Sequence, residues 1–206
     1  KKGEVMSKSK GNVVDPLEII EKHGADTLRT FILFIANPEK EFEWSDSGIE
    51  GIYKFLNRFY SLPETLSKEN DAIIESKLNK LIKKVTNDIE EFKFNNAIIS
   101  IMEFSDYIKK HNYNKDVLEK LVLLISPFAP HIAEELWNIF GEKKSINLSN
   151  WPKWDENLIQ DEEIKIIIQI NGKVRTEIMI QINEKEEDVK EKALKNEIVL
   201  RHILNK

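Results

Sequence analysis

Between Ile49 and Phe140 apolar residues recur every three or four positions, interrupted only at prolines and polar clusters. Such spacing lines up one stripe of an α-helix and gives no continuous apolar face to a strand. Ser47 and Glu50 read as a capping box, followed by Ile49, Ile52, Tyr53, Leu56 and Tyr60 on one face. After a break around Pro63 the stripe resumes as Leu78, Leu81, Ile82, Val85, Ile89 and Phe92, then as Ile98, Ile101, Ser105 and Ile108. Val117, Leu118, Leu121, Val122 and Ile125 mark a fourth helix. Pro127 and Pro130 bend the chain before a fifth, which bears Ile132, Leu136, Trp137 and Phe140 and closes at Gly141. Short connections favour antiparallel neighbours. The expected architecture is therefore mainly α, an antiparallel helical bundle over 45–158.

Two shorter pieces flank it. Upstream, Asp15-Pro16-Leu17-Glu18 combines an N-cap, a first-turn proline and a carboxylate three residues on, and Gly24 supplies the stop. Asp26 is expected to cap the next helix, carrying Leu28, Phe31, Ile32 and Ile35 and ended by Asn37-Pro38. Residues 1–44 thus read as loop, helix, helix. Downstream the period switches to two: Ile164, Ile166, Ile168 and Ile170, then Val174, Thr176, Ile178, Ile180 and Ile182. Asn171-Gly172 between them is the strongest short hairpin signal, since a type I′ turn needs positive φ twice. Asn183 with Glu186 then opens a Lys/Glu-rich helix. Residues 159–206 make a small core for an α/β domain, and one further strand beyond Lys206 is expected.

Hydrophobic residues make up 41% and charged residues 33% of the 206, the balance of a globular chain. No apolar run reaches the ~18 residues of a membrane span. The absence of cysteine excludes disulfides and thiolate metal sites and agrees with a cytoplasmic location. The four histidines lack ligand spacing, so no metal site is expected. A net charge of −5 supplies no global field for nucleic acid, and any RNA contact must be local.

Chemistry concentrates in Val5-Met6-Ser7-Lys8-Ser9-Lys10-Gly11-Asn12. Lysines alternate with hydroxyls, and a glycine follows before any helix starts. Such a loop can lay ammonium and hydroxyl donors along a triphosphate, and lysine suits this as a compact charge on a flexible stem. The residues alone leave a second reading open, a solvated Ser/Lys surface loop.

These eight residues, with Val13-Val14-Asp15-Pro16 and Gly24-Ala25-Asp26-Thr27-Leu28-Arg29, closely resemble the KMSKS region of class I aminoacyl-tRNA synthetases. Ser126-Pro127-Phe128-Ala129-Pro130-His131-Ile132-Ala133-Glu134-Glu135-Leu136-Trp137 resembles the bundle of the leucine, isoleucine, valine and methionine enzymes, called the anticodon-binding domain. Within it His131 is expected to satisfy a nearby backbone group. The stretch from Asn37 to Gly48, Phe55-Leu56-Asn57-Arg58 and the hairpin Gln169-Ile170-Asn171-Gly172-Lys173-Val174-Arg175 are similar to leucyl-tRNA synthetases of the bacterial type. The resemblance covers essentially the whole chain. It implies a C-terminal portion, opening without an initiator methionine, lacking the HIGH motif and cut slightly short at Lys206.

The resemblance further implies that Lys8, at the family's second lysine, is catalytic and stabilises charge on the β- and γ-phosphates of ATP, which normally carries Mg2+. Met6, Ser7, Lys8, Ser9 and Lys10 would form the ATP-binding loop, with Met6 towards the adenosine. Val5 departs from the pattern by replacing the first lysine, and Lys10 is the candidate substitute. Leucine and tRNA(Leu) are the implied partners and a monomer the implied state. Lys165, Lys173 and Arg175 would meet phosphates at the tRNA elbow; they also read as solvated strand charges. Two alternatives stand beside this: a stand-alone RNA-binding module without catalysis, or the corresponding piece of an isoleucyl or valyl enzyme.

Overall fold

The computed structural model describes residues 5–36, 39–159, 163–181 and 185–204. It is mostly helical with one two-stranded antiparallel sheet, and divides into two compact units, Lys1–Ile159 and Gln160–Lys206.

In the first unit α1 (Pro16–His23) and α2 (Ala25–Ile35) precede α3 (Asp46–Tyr60), α4 (Ala72–Glu90), α5 (Phe94–Ile108), α6 (Lys115–Ile125) and α7 (Pro130–Ile139). One apolar core runs through them, from Leu28 and Phe31 of α2 to Leu136 and Trp137 of α7. All the core positions expected on α5 and α6 are buried, as are Leu78, Leu81, Ile82 and Val85 of α4. The expected stop at Asn37-Pro38 lies outside the described residues.

Four local expectations need correction. The α3 cap is Ser45, whose hydroxyl accepts from Gly48 N at 3.1 Å, and not a Ser47/Glu50 box. Ser47 points its hydroxyl at Ser45 Oγ instead, 3.0 Å away. The face of α3 is rotated: Phe55 and Phe59 are buried while Tyr53 and Tyr60 stay exposed, because a ring without a hydroxyl leaves no polar group to satisfy. Phe92 sits past the end of α4 at φ +56 and is exposed, so it terminates the stripe without joining it. Asp26 does not cap α2, which begins at Ala25 without a side-chain cap.

In the second unit β1 (Glu163–Ile170) and β2 (Lys173–Gln181) are joined through Asn171 and Gly172, at φ +54 and +76. Two consecutive positive φ values are what a type I′ turn demands. Ile168 faces Thr176 but Gln169 faces Val174, leaving Arg175 as a bulged extra residue. One inserted residue turns the rest of the strand over, so Val174 lies 59% exposed instead of sharing the Thr176–Ile178–Ile180 face. That face meets α8 (Glu186–Lys195) and α9 (Glu197–Leu204), with Ile180 and Val199 buried. Ile182 and Asn183, expected to end the strand and open the helix, lie outside the described residues.

Candidate functional site

The Ser/Lys segment ahead of α1 is a closed loop. Lys8–Lys10 form a single 3₁₀ turn, with Lys10 N–H donating to Ser7 O at 3.1 Å. Gly11 follows at φ +63, a conformation that costs a residue with a Cβ and is free to glycine. The Asn12 carboxamide then reaches back: its Oδ1 accepts from Ser7 N at 2.8 Å and its Nδ2 donates to Val5 O at 3.2 Å. Ser7 and Ser9 hydroxyls lie 2.8 Å apart, so one of their two hydrogens is used inside the loop. Met6 and Ser7 are half-buried, whereas Ser9 and Lys10 are exposed. The Lys8 side chain lies outside the described residues. Sequence reading passed over Asn12; its signal was an amide following a glycine, a pairing suited to side-chain-to-backbone bonds in turns.

The loop runs into α1, where Asp15 Oδ1 accepts from Leu17 N at 2.9 Å as expected of an N-cap. Behind it α1 packs on α2, and α2 grips the turn between α6 and α7. Arg29 donates twice to Pro127 O, at 3.2 and 3.1 Å, and buried Thr30 donates to Phe128 O at 3.2 Å. Buried Asp26 accepts from Ile132 N and from His131 Nδ1, both at 2.7 Å. Helix α7 has no side-chain cap of its own; Asp26, more than a hundred residues earlier in the chain, supplies it. His131 is therefore held by a carboxylate and not by a backbone group, with its ring 78% exposed. Beside this joint a cavity of about 440 Å³ is bounded by His23, Asp26, Tyr53, Asn57, His131 and Ile132. Among the described residues no group of three or more acidic or histidine side chains could hold a metal ion.

The three hairpin cations belong to the second unit and differ from one another. Lys165 Nζ lies 2.7 Å from Glu177 Oε2, and that carboxylate holds the ammonium protonated above its usual range. Lys173 opens β2 and Arg175 occupies the bulge; both are exposed, and among the described residues neither has an ionic partner.

The family model for the anticodon-binding domain of tRNA ligases matches residues 71–191, more than half of the chain. The chain belongs to that family. A second model, for class I tRNA synthetases (I, L, M and V), matches residues 1–45, which contain the closed loop and α1–α2. Among curated relatives, the leucine–tRNA ligase of Thermotoga maritima is 42% identical over 98% of this chain and 28% of its own length. That of Prochlorococcus marinus is 43% identical, over 98% and 26%; that of Thermosipho melanesiensis is 45% identical, over 95% and 27%. A solved ternary complex, the agnB2 LeuRS of Agrobacterium radiobacter K84 with tRNA and LeuAMS, superposes with a TM-score of 0.76 at 33% identity, covering 98% of this chain and 28% of that one. This member of the anticodon-binding family thus spans little more than a quarter of the leucine–tRNA ligases it matches.

Proposed function

We propose that this chain is the part of a leucine–tRNA ligase that supplies the ATP loop and the tRNA-facing helical region. The observation that carries the reading is the end-to-end match to leucine–tRNA ligases, from the Ser7–Asn12 loop through the hairpin, over 98% of the chain. The same match weighs against an isoleucyl or valyl enzyme. Residues 1–44 would close the catalytic domain, 45–158 would form the antiparallel anticodon-binding bundle, and 159–206 would open a tRNA-contacting α/β domain. The whole protein would work as a cytoplasmic monomer on leucine, tRNA(Leu) and ATP, with Mg2+ arriving as part of the nucleotide substrate.

In the reaction the leucine carboxylate attacks the α-phosphorus, the bond to the bridging oxygen breaks, and pyrophosphate leaves with developing negative charge. The Lys8 ammonium, fixed near the β- and γ-phosphates, neutralises that charge most strongly in the transition state, where such stabilisation accelerates the step. Whichever of Ser7 and Ser9 keeps its free hydroxyl hydrogen can donate to a phosphate oxygen. Lys173 and Arg175 would meet tRNA phosphates at the elbow, with Lys165 contributing less because Glu177 already engages it. Replacing Lys8 by Ala in the full-length enzyme should cost about 2–4 kcal/mol of transition-state stabilisation, the scale of losing one strong electrostatic donor. ATP–pyrophosphate exchange measures it, and an unchanged rate removes the assignment.

A further inference from the structure

We infer that Asn12 is the positioning residue of the ATP loop, the side chain that fixes the turn to which Lys8 belongs; this rests on the reading of that loop given above. The stretch from Val5 to Asn12 contains no α-helix or strand, and among the described residues its backbone bonding is that of the local turn, with Lys10 N–H on Ser7 O. That bond sets the local 3₁₀ turn but does not fix where the turn stands relative to the chain entering and leaving it. Asn12 does so with one planar group. Its oxygen takes the Ser7 N–H at 2.8 Å and its amide donates to the Val5 carbonyl at 3.2 Å. The two contacts straddle Met6, so both ends of the segment entering the turn are tied to the residue leaving it. Gly11 at φ +63 lets Asn12 fold back. Aspartate could copy the first contact and not the second, and alanine neither.

A loop without this clasp samples more arrangements, and the ordering cost falls on the step in which Lys8 must face the phosphates. Asn12 touches no reacting atom; it acts through Lys8. The consequences are a fall in kcat with ATP KM little changed, and no further effect once Lys8 is gone. The test uses the full-length enzyme, with active-site titration to normalise each variant and ATP–pyrophosphate exchange to give kcat and KM. Loss of two hydrogen bonds predicts about a 10- to 100-fold lower kcat for Asn12→Ala, with Asn12→Asp recovering part of it. Asn12→Ala should add less than about 2-fold to Lys8→Ala, the non-additivity of groups acting as one unit.

A wild-type kcat per active site in Asn12→Ala overturns the inference. So does a full, additive loss on the Lys8→Ala background, or a fall confined to the titrated fraction of active sites. An unchanged Lys8→Ala enzyme sinks the ATP-loop reading itself, whereas an inactive Lys8→Ala beside a normal Asn12→Ala sinks only the role of Asn12.

Discussion

Substituting Asp26 by Ala should destabilise the first unit although Asp26 lies in the opening turn of a helix that it does not cap. Its carboxylate is buried and accepts from Ile132 N and His131 Nδ1, each at 2.7 Å, with His131 N further off at 3.4 Å. Removing the cap of α7 costs about 1 kcal/mol, within a usual span of about 0.5–2. That cap is the bond to the half-buried Ile132 N–H, and a donor left partly out of reach of water raises the same loss towards about 3 kcal/mol. The His131 contribution is small because its ring is 78% exposed and solvent screens the pair. The total is about 1–3 kcal/mol, which for a unit of this size lowers Tm by about 3–9 °C. Asp26→Asn keeps an acceptor for Ile132 N–H and should lose only about 1 kcal/mol, the net worth of a weakened bond. All four tryptophans, Trp44, Trp137, Trp151 and Trp154, lie in the first unit, so their fluorescence follows its melting separately from the hairpin unit. Asp26→Ala melting within about 1 °C of wild type, or Ala and Asn variants melting together, would refute the remote cap; a 1 °C change in a unit this large is well under 1 kcal/mol.

The remaining predictions concern packing, pH and tRNA. A Cβ on Gly48 would sit 2.7 Å from Cε2 of the buried Phe31 ring, so Gly48→Ala should cost about 1–3 kcal/mol by overpacking, read as a lower urea midpoint. Asp71 accepts from His111 Nδ1 at 2.9 Å, Asn112 N at 3.2 Å and Asn112 Nδ2 at 3.1 Å, and the His111 bond above all holds its carboxyl below the usual 3.8. Because the folded value is depressed, the stabilisation is present above the unfolded carboxyl value near 4 and fades as pH falls through the lower folded one. The Tm gap between wild type and Asp71→Asn should therefore shrink from pH 6 towards pH 3; a constant gap contradicts it. For the full-length enzyme, Lys173→Ala with Arg175→Ala should weaken tRNA binding and reduce the salt slope by about 1–2, as expected for two lost phosphate contacts. Lys165→Ala should change the slope by less than either.

Helical segments were legible because burial of one stripe repeats a local rule at every turn, and α5 and α6 obey it at each position named. The faces of aromatic-rich segments were harder to read. Phe55 and Phe59 compete with Tyr53 and Tyr60 for the same core, and hydropathy alone does not price the tyrosine hydroxyl. The Asn171-Gly172 turn was visible, yet the bulge at Arg175 was not, since a single inserted residue alters pairing without altering composition. In the candidate loop the Ser/Lys alternation was plain, whereas the Asn12 clasp depends on a chain reversal that only the positive φ at Gly11 reveals.

Two carboxylates at helix starts serve distant backbone. Asp26 lies in the first turn of α2 and Asp71 just ahead of α4, and neither side chain bonds the start of its own helix. Each instead satisfies backbone N–H groups far along the chain, at Ile132 and Asn112. For buried Asp26 the gain lies in meeting a donor that burial would otherwise leave unpaired; Asp71 meets its donors at an exposed site. Distant contacts of this kind tie α2 to the α6–α7 turn, whereas the described side-chain contacts of the loop ahead of α1 are local, those of Asn12 among them. Stability and loop geometry should then respond to different residues: Asp26 governs melting, while Asn12 lies ahead of α1 and, among the described residues, makes its bonds within the loop. A drop in Tm for Asn12→Ala comparable to that of Asp26→Ala would mean that the loop is woven into the core and that this separation is wrong.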